Sequence, residues 1–597
     1  MDRWVTRNNS GNFSDMARAF NISDDLARLI VYRGIDTRDK IYKYFNMDIT
    51  MLYAPELLDG VSEACDLIKK KIDEKKKIRI VGDYDVDGIM STYILYSALK
   101  KIGAYVDYVI PDRIKDGYGI NINIINDAYK DGIDTILTCD NGIAAIDQIA
   151  HGKELGMTII VTDHHDIVFE EKDGKKHTVL PDADIIINPH KPGDTYPFKE
   201  ICGAVVAFKL IKKLYDNMLV EVKESNAFIE FAALATVCDV MPLKDENRAI
   251  VREGLKMLTR SNNIGIRKLI EKTKALRNTD SRLTVYHLGF VIGPCLNATG
   301  RLETATTAVE LLCTNDEEKA QQLAQKLVDL NTRRKEMTDI NMEKAFAMID
   351  NSDLINDKVL VVYLSDCHES IAGIIAGRIR ERYSKPAIVI TDGEKTCKGS
   401  GRSIEPYNMF EEITRCKDYL VMFGGHPMAA GLSIKKENIE GFRKALNDKC
   451  ALTSEDMVNK IVIDLVKNPC DVTYELIKEL DYLEPCGTGN EKAVFAARSV
   501  EVLRAYVLGN ERKILKLDLY CPHNDEALSY DNRISAVYFG NISEFDKIIF
   551  EKYGAKAYED MYKGRESGVK LNILYYPQIN EYNGRSTIQI VIKGYAC

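Results

Sequence analysis

Five short apolar runs between Ile78 and Ile187 alternate with stretches of mostly helical period; two of them end directly in carboxylates and a third reaches them after one glycine. The runs are Ile78–Val81, Val106–Ile110, Thr135–Cys139, Thr158–Thr162 and Asp184–Ile187, and Gly88–Lys100 carries the apolar spacing of a helix. Strands interleaved with helices predict a mostly parallel, helix-covered sheet, because parallel neighbours need long crossovers. In such sheets chemistry collects just beyond the carboxyl ends of the strands. The acids stand there. Gly82-Asp83-Tyr84-Asp85-Val86-Asp87-Gly88 places three carboxylates at alternate positions after the first run. Asp140-Asn141-Gly142 follows the third run, and Asp163-His164-His165-Asp166 follows the fourth. Asp239 ends the apolar helix Phe228–Cys238. This topology predicts that all four segments converge on one edge of the sheet.

Carboxylates gathered in one place repel unless cations compensate them. An oxygen-rich set with one or two imidazoles suits Mn²⁺ or Mg²⁺ better than a zinc cage. Two such ions about 3.5–4 Å apart would clamp the attacking and leaving oxygens of a phosphoryl displacement. Any one Asp-Gly or Asp-Asn-Gly is ordinary turn chemistry. Four acidic segments at element ends beside a histidine pair point instead to a metal centre. The Asp83–Gly88 spacing also opens like a calcium loop, but the twelfth position is Ile94 instead of Glu and a strand precedes it. That reading is rejected.

At 597 residues the chain is long enough for three or four domains. Short helices are expected over residues 1–70, ending in the charged run Lys69–Lys77, then the sheet domain over 71–255 and a helical connector over 256–350. Thr304–Ile349 contains neither Gly nor Pro, as one long helix or two in series would. A second α/β domain is expected over 351–455, with strands Val359–Leu364 and Ala387–Thr391. Over 456–597 the pattern changes to short strands: Val500–Val507, Arg512–Leu519, Ile534–Tyr538, Leu571–Tyr576 and Ile588–Ile592. These predict a small β-barrel of the oligonucleotide-binding (OB) kind. The net charge of −9 excludes a histone-like binder but not a basic groove in an acidic protein. Fourteen cysteines without a CxxC pair argue against a disulfide scaffold and fit a reducing cytoplasm. No apolar run approaches the ~20 residues of a membrane span, and the N-terminus lacks the apolar core of a secretory signal.

Asp-His-His after a strand, with the Asp83–Gly88 and Asp140–Gly142 segments upstream, resembles the DHH phosphoesterase superfamily and, within it, the RecJ family of bacterial single-strand-specific DNA exonucleases. Similar segments run along nearly the whole chain. They include Ile110-Pro111-Asp112-Arg113, Gly117-Tyr118-Gly119, Cys202-Gly203-Ala204, Ala207-Phe208-Lys209, Ala235–Leu243 and Asn297-Ala298-Thr299-Gly300-Arg301. Gly399–Ser403 and Gly424–Gly431 resemble the companion DHH-associated domain, and Pro485–Asn490 the entry to the terminal barrel.

The resemblance implies metal ligation by Asp85, Asp87, Asp140, His164 and Asp239, with Asp140 bridging two ions, Mn²⁺ or Mg²⁺. Asp83 and Asp163 complete or orient the site, and His165 is a ligand or supports one. Asp140, His164, His165 and His426 are the expected catalytic set, His426 donating to the phosphate under attack. Ser400 and Arg402 are expected in a glycine-rich loop whose amides cradle an anion, holding a terminal 5′-phosphate with Arg113. Asn297, Arg301, Gly424 and Gly425 complete the substrate contacts. Cys295 stands where relatives commonly carry Arg, Cys367 where they often carry Trp, and Ser370 where they often carry Gly. Tyr506, Tyr520, Tyr538 and Tyr582 are candidates to stack on bases. The implied activity is a metal-dependent 5′→3′ exonuclease that cuts single-stranded DNA to 5′-mononucleotides in repair and recombination. A helicase and a single-strand-binding protein are the expected partners, and the enzyme is expected to be a monomer. Two alternatives are a phosphodiesterase of short oligonucleotides or cyclic dinucleotides and a non-catalytic DNA-binding relative.

Overall fold

The computed structural model describes residues 3–7, 11, 13–172, 175–276, 282–509, 513–521, 532–582 and 584–597. They form two compact units, residues 48–458 and residues 1–47 with 459–597.

In the larger unit the five expected runs form one parallel sheet. Counted along the chain, Lys77–Val81, Tyr105–Val109, Thr135–Cys139, Thr158–Thr162 and Ile185–Ile187 lie in the order 2-1-3-4-5. Val81 pairs with Thr138 and Cys139 with Thr162, so three acidic segments leave neighbouring strands at one level. The order reverses between Lys77–Val81 and Thr135–Cys139, the point where doubly wound sheets open a crevice for ligands. Helices Val86–Lys101, Gly203–Asn217 and Ile229–Cys238 bury nearly all their apolar residues. Between the fourth and fifth strands the chain forms a hairpin, Val168–Lys172 with Lys175–Val179, instead of a helix.

The glycine-free stretch is two helices in series, Thr306–Cys313 and the 34-residue Glu317–Asp350, which at ~1.5 Å per residue is about 51 Å long. Asp316 accepts the Lys319 N–H and caps the second. Beyond it lies a five-stranded sheet. Leu360–Tyr363 and Ala387–Thr391 are parallel, and Cys397–Arg402, Ala429–Ile434 and Leu420–His426 extend the sheet antiparallel.

The smaller unit contains a closed five-stranded barrel. Strands Phe495–Leu508, Ile514–Tyr520, Arg533–Tyr538, Lys570–Tyr582 and Arg585–Ala596 pair in the order 1-2-3-5-4 and back to 1, and only 3 and 5 are parallel. Helix Ile542–Lys563 bridges strands 3 and 4. This is an OB fold. Leu26, Leu29, Ile30 and Ile41, from helices Asp24–Val31 and Arg38–Asn46, enter the same apolar core. Strand Arg3–Thr6 pairs with Lys460–Ile463. Residues 1–70 are therefore divided, since helix Val61–Asp73 belongs to the larger unit.

Lys209 and Glu246 form a fully buried ion pair at 2.7 Å, and Lys209 also donates to the Tyr53 carbonyl. Tyr196 donates to the other Glu246 oxygen. Removing one partner strands a charge in an apolar interior. Lys209→Met is expected to cost about 3–5 kcal/mol in urea unfolding, and Lys209→Met/Glu246→Gln to recover more than half of that loss.

Candidate active site

Each acidic segment is fixed by main-chain hydrogen bonds. Asp85 caps helix Val86–Lys101, accepting the Gly88 N–H at 3.1 Å. Asp87 accepts the N–H groups of Gly203 and Ala204 at 2.6 and 2.7 Å, the positive end of helix Gly203–Asn217. A Cβ at Gly203 would lie 2.8 Å from the Asp140 Cβ and 3.0 Å from Asp87 Oδ2, so only glycine lets this helix end approach the acids. Asp140 sits at φ +61°, a left-handed turn after its strand. Asn141 fixes that turn by donating to the Val81 and Cys139 carbonyls and accepting the Ile120 N–H. Asp239 ends helix Ile229–Cys238.

The four segments meet around His164. Its Nε2 lies 3.1 Å from Asp140 Oδ1, 3.5 Å from Asp87 Oδ2 and 3.6 Å from Asp239 Oδ2. Potential ligand atoms fall within 4.8 Å of one another in three overlapping groups: Asp83, Asp85 and Asp140; Asp87, His164 and Asp239; and Asp140, His164 and His165. Burial, then neighbouring carboxylates, pushes the carboxyls of Asp83, Asp85, Asp140 and Asp239 up, that of Asp239 to about 9. Asp83 Oδ1 is buried with no hydrogen-bond partner. An orphaned buried oxygen beside mutually repelling carboxylates is the donor set of a hard divalent cation.

Asp163 stands outside these groups. Its oxygens accept the N–H groups of Ile143 and His164 at 2.9 and 2.7 Å and meet His165 Nδ1 at 2.7 Å. Burial opposes charge on both partners, but their hydrogen bond prevails, taking Asp163 down to about 2 and His165 up to about 9. Burial lowers His164, so its ring is neutral and able to ligate. Tyr118, on a loop between two glycines, donates to the Asp140 carbonyl at 2.9 Å and lies 3.2 Å from His165 Nε2.

A basic wall stands beside the carboxylates. Arg113 lies 4.0 Å over the Tyr84 ring, with its buried Nε unpartnered. Burial, reinforced by Arg113, Arg334 and Arg402, takes Arg301 down to about 9, and its Nη1 donates to the Ser370 carbonyl. Arg402 is likewise lowered, by burial and then by Arg380 and Arg113.

The expected anion-cradling loop is instead strand Cys397–Arg402, paired on both sides, so its amides are committed to the sheet. Its glycines are there for packing, since a Cβ at Gly399 would come within 2.6 Å of Leu432. Alternation puts Lys398, Ser400 and Arg402 together on the half-exposed face. Lys398 and Ser400 line a cavity of about 500 Å³ together with Tyr84, Arg113 and Gly424. Lys398 was not anticipated, because period-2 alternation is invisible once the segment is taken for a loop.

Gly425, at φ +150°, and exposed His426 end strand Leu420–His426. The His426 ring accepts the Met428 N–H and is lowered by burial and Arg402, while Asp166 of the histidine segment pulls it upward. Asn297 Oδ1 accepts the Val86 N–H at 3.2 Å. Cys295 is buried between the Val291 carbonyl and Asn331. Cys367 is also buried. Of the stacking candidates, Tyr520 is buried, Tyr538 packs on Phe545 and Tyr595, and Tyr506 donates to Asp518. The side chain of Tyr582, like His523, lies outside the described residues.

Three domain families match in sequence: the DHH family N-terminal domain over residues 77–236, the DHHA1 domain over 356–452 and the RecJ OB domain over 463–594. The chain is 34% identical to the single-stranded-DNA-specific exonuclease RecJ of Bacillus subtilis, over 99% of its own length and 70% of the relative's. It is 31% identical to that of Haemophilus influenzae, over 92% and 93%. The crystal structure of Thermus thermophilus RecJ with Mn²⁺ superposes with a TM-score of 0.80 at 24% identity, covering 100% of this chain and 79% of that one. The chain belongs to the RecJ family of single-stranded-DNA-specific exonucleases.

Proposed function

We propose that this exonuclease works from the 5′ end of single-stranded DNA and releases 5′-mononucleotides, using two divalent cations, Mn²⁺ or Mg²⁺. The observation that carries this reading is the adjacency of two opposed charge sets. Arg113 pulls the Asp83 and Asp85 carboxyls downward, while Arg301 and Arg402 are held near it against their mutual repulsion. Crowded, buried guanidiniums are stabilised by an anion, and a terminal phosphate supplies one.

Asp85, Asp87, Asp140, His164 and Asp239 would hold the cations, Asp140 belonging to two of the three ligand groups, with Asp83 completing the set. Bound there, the cations supply Lewis acidity toward a phosphate oxygen and lower the pKa of water. The protein's own groups do the rest. Arg113, Arg402 and Ser400 hold the 5′-phosphate, so the first phosphodiester lies at the carboxylates. Asp163 keeps the His165 ring charged and oriented beside Asp140, and Asn141 holds the turn that aims Asp140. His426 donates a hydrogen bond to the phosphate under attack. Arg301 contacts the DNA backbone, while Asn297 serves by tethering Val86. Among the described residues no helix is long and apolar enough to cross a membrane. The setting we propose is repair and recombination in the cytoplasm, as a monomer acting after a helicase and beside a single-strand-binding protein.

The direct test is digestion of a strand labelled at either end, with Mn²⁺, Mg²⁺ or EDTA. Labelled mononucleotide is expected at once from the 5′ label and late from the 3′ label, only with metal, and reduced roughly a hundredfold or more in Asp140→Ala. The opposite order of release would refute the polarity. Cleavage restricted to very short oligomers would favour a small-substrate phosphodiesterase.

Gly203→Ala removes no ligand but sets a Cβ 2.8 Å from the Asp140 Cβ and 3.0 Å from Asp87 Oδ2. Titration calorimetry is expected to show Mn²⁺ affinity about 10–100-fold weaker, as for the loss of a ligand's support. A carboxyl raised in the folded state binds extra protons there, so the metal-free protein loses stability as pH rises from the ordinary 3.8 towards about 9, the value of Asp239. Mn²⁺ displaces those protons. Its stabilisation in thermal melts is therefore expected to widen with pH across that window; a constant gap would exclude these carboxyls as the ligands.

A further inference from the structure

The continuous helical run Val285–Leu302 passes three chemically different regions in order. Near its start, the Cys238 thiol donates to the Leu288 carbonyl at 3.6 Å, one residue before Asp239. Further along, Asn297 accepts the N–H of Val86, which stands between Asp85 and Asp87. At its end Arg301 joins Arg113 and Arg402. The run thus extends from the aspartate end of the site to the basic wall, and Phe290 and Arg301 are about 16 Å apart along it at ~1.5 Å per residue.

Its first part is irregular for an identifiable reason. Pro294 has no N–H to offer the Phe290 carbonyl, and its ring crowds that position in a regular helix. The helix opens instead into a π turn over Leu288–Ile292, in which the Gly293 N–H donates to Leu288, five residues back. Leu288 and Ile292 point inward and are buried. Tyr286 and Phe290 point outward, their rings stacked with centroids 5.3 Å apart and planes 22° from parallel. Tyr286 is 63% exposed and Phe290 65%. Single exposed aromatics are unremarkable. A stacked, outward-facing pair that straddles the start of a π turn, whose backbone touches the residue before Asp239, is a different object, since π turns gather at functional sites.

We propose that Tyr286 and Phe290 form a platform for a nucleobase of the DNA strand, on the 3′ side of the phosphodiester being cut. The proposal rests on the 5′-end reading above. With the terminal phosphate at the arginines and the first phosphodiester at the carboxylates, the strand leaves toward the other end of the run, where the rings are. Rings stack on any base, as a sequence-indifferent exonuclease requires. The platform also provides the stacking surface that the barrel tyrosines Tyr520 and Tyr538, tied up in packing, do not.

The test is binding of 5′-phosphorylated oligothymidylate in EDTA, followed by fluorescence polarisation, with Tyr286→Ala/Phe290→Ala beside the wild type. The exposed rings contribute little to folding, so an unchanged thermal midpoint is expected. Affinity is expected to fall roughly tenfold or more, by the same factor at every salt concentration, because stacking releases no counterions. Phe290→Trp should restore it. In the wild type, a single 2-aminopurine moved one nucleotide at a time from the 5′ end should be quenched most at one position. That maximum should vanish in the double variant. An abasic residue at that position should erase the difference in degradation rate between the two proteins. A double variant that binds and quenches like an active wild type overturns the platform alone. A loss of affinity that changes the salt slope overturns it in favour of a phosphate contact. A wild type that degrades the strand from its 3′ end overturns the platform together with the reading it rests on.

Discussion

Mutual repulsion among buried carboxylates is the constraint around which the larger unit is arranged. Asp83, Asp85, Asp140 and Asp239 are all held where burial and neighbours oppose their charge. Side chains left to themselves would turn outward to water. Three devices keep them in. The end of helix Gly203–Asn217 directs two N–H groups at Asp87, the left-handed turn at Asp140 is held by Asn141, and Asp85 is committed as a helix cap. Each device ties a side chain to main-chain groups of a regular element, which a mobile loop could not supply.

The basic wall that faces the acids draws on both sheets. Strand Cys397–Arg402 belongs to the five-stranded sheet that follows the long helix, and Arg113 to the loop after the second strand of the parallel sheet. Their guanidiniums nevertheless influence one another, and Arg301 reaches the Ser370 carbonyl from the helix between them. The active surface is therefore composite. The spacing between these arginines and the carboxylates is set by how the two sheets pack.

Much of this was legible in the sequence, for physical reasons. Parallel-sheet strands are buried on both faces and read as continuous apolar runs, so Thr135–Cys139 and Thr158–Thr162 matched to the residue. Acids at their carboxyl ends could be placed by topology alone. Other features depend on distant partners. Gly399-Ser400-Gly401 has turn composition, and only Leu432 packed against it explains the glycines. The tethers of Asp163 to the Ile143 N–H and of Asn297 to the Val86 N–H join residues too distant in the chain to be read from it. Tyr286 and Phe290 sit beside a proline whose effect on the helix has no signature in composition.

The barrel's core is completed by helices from the opposite end of the chain, since Leu26, Leu29, Ile30 and Ile41 pack with Phe495, Leu517 and Tyr575. On the ribosome these helices emerge first and wait for about four hundred residues of the other unit before their partners exist. At about 5–20 residues per second that delay is on the order of 20–80 s. During it, an apolar helical face is exposed while the larger unit is being made. The larger unit, with its cluster of carboxylates, is thus complete before the core of the barrel can close.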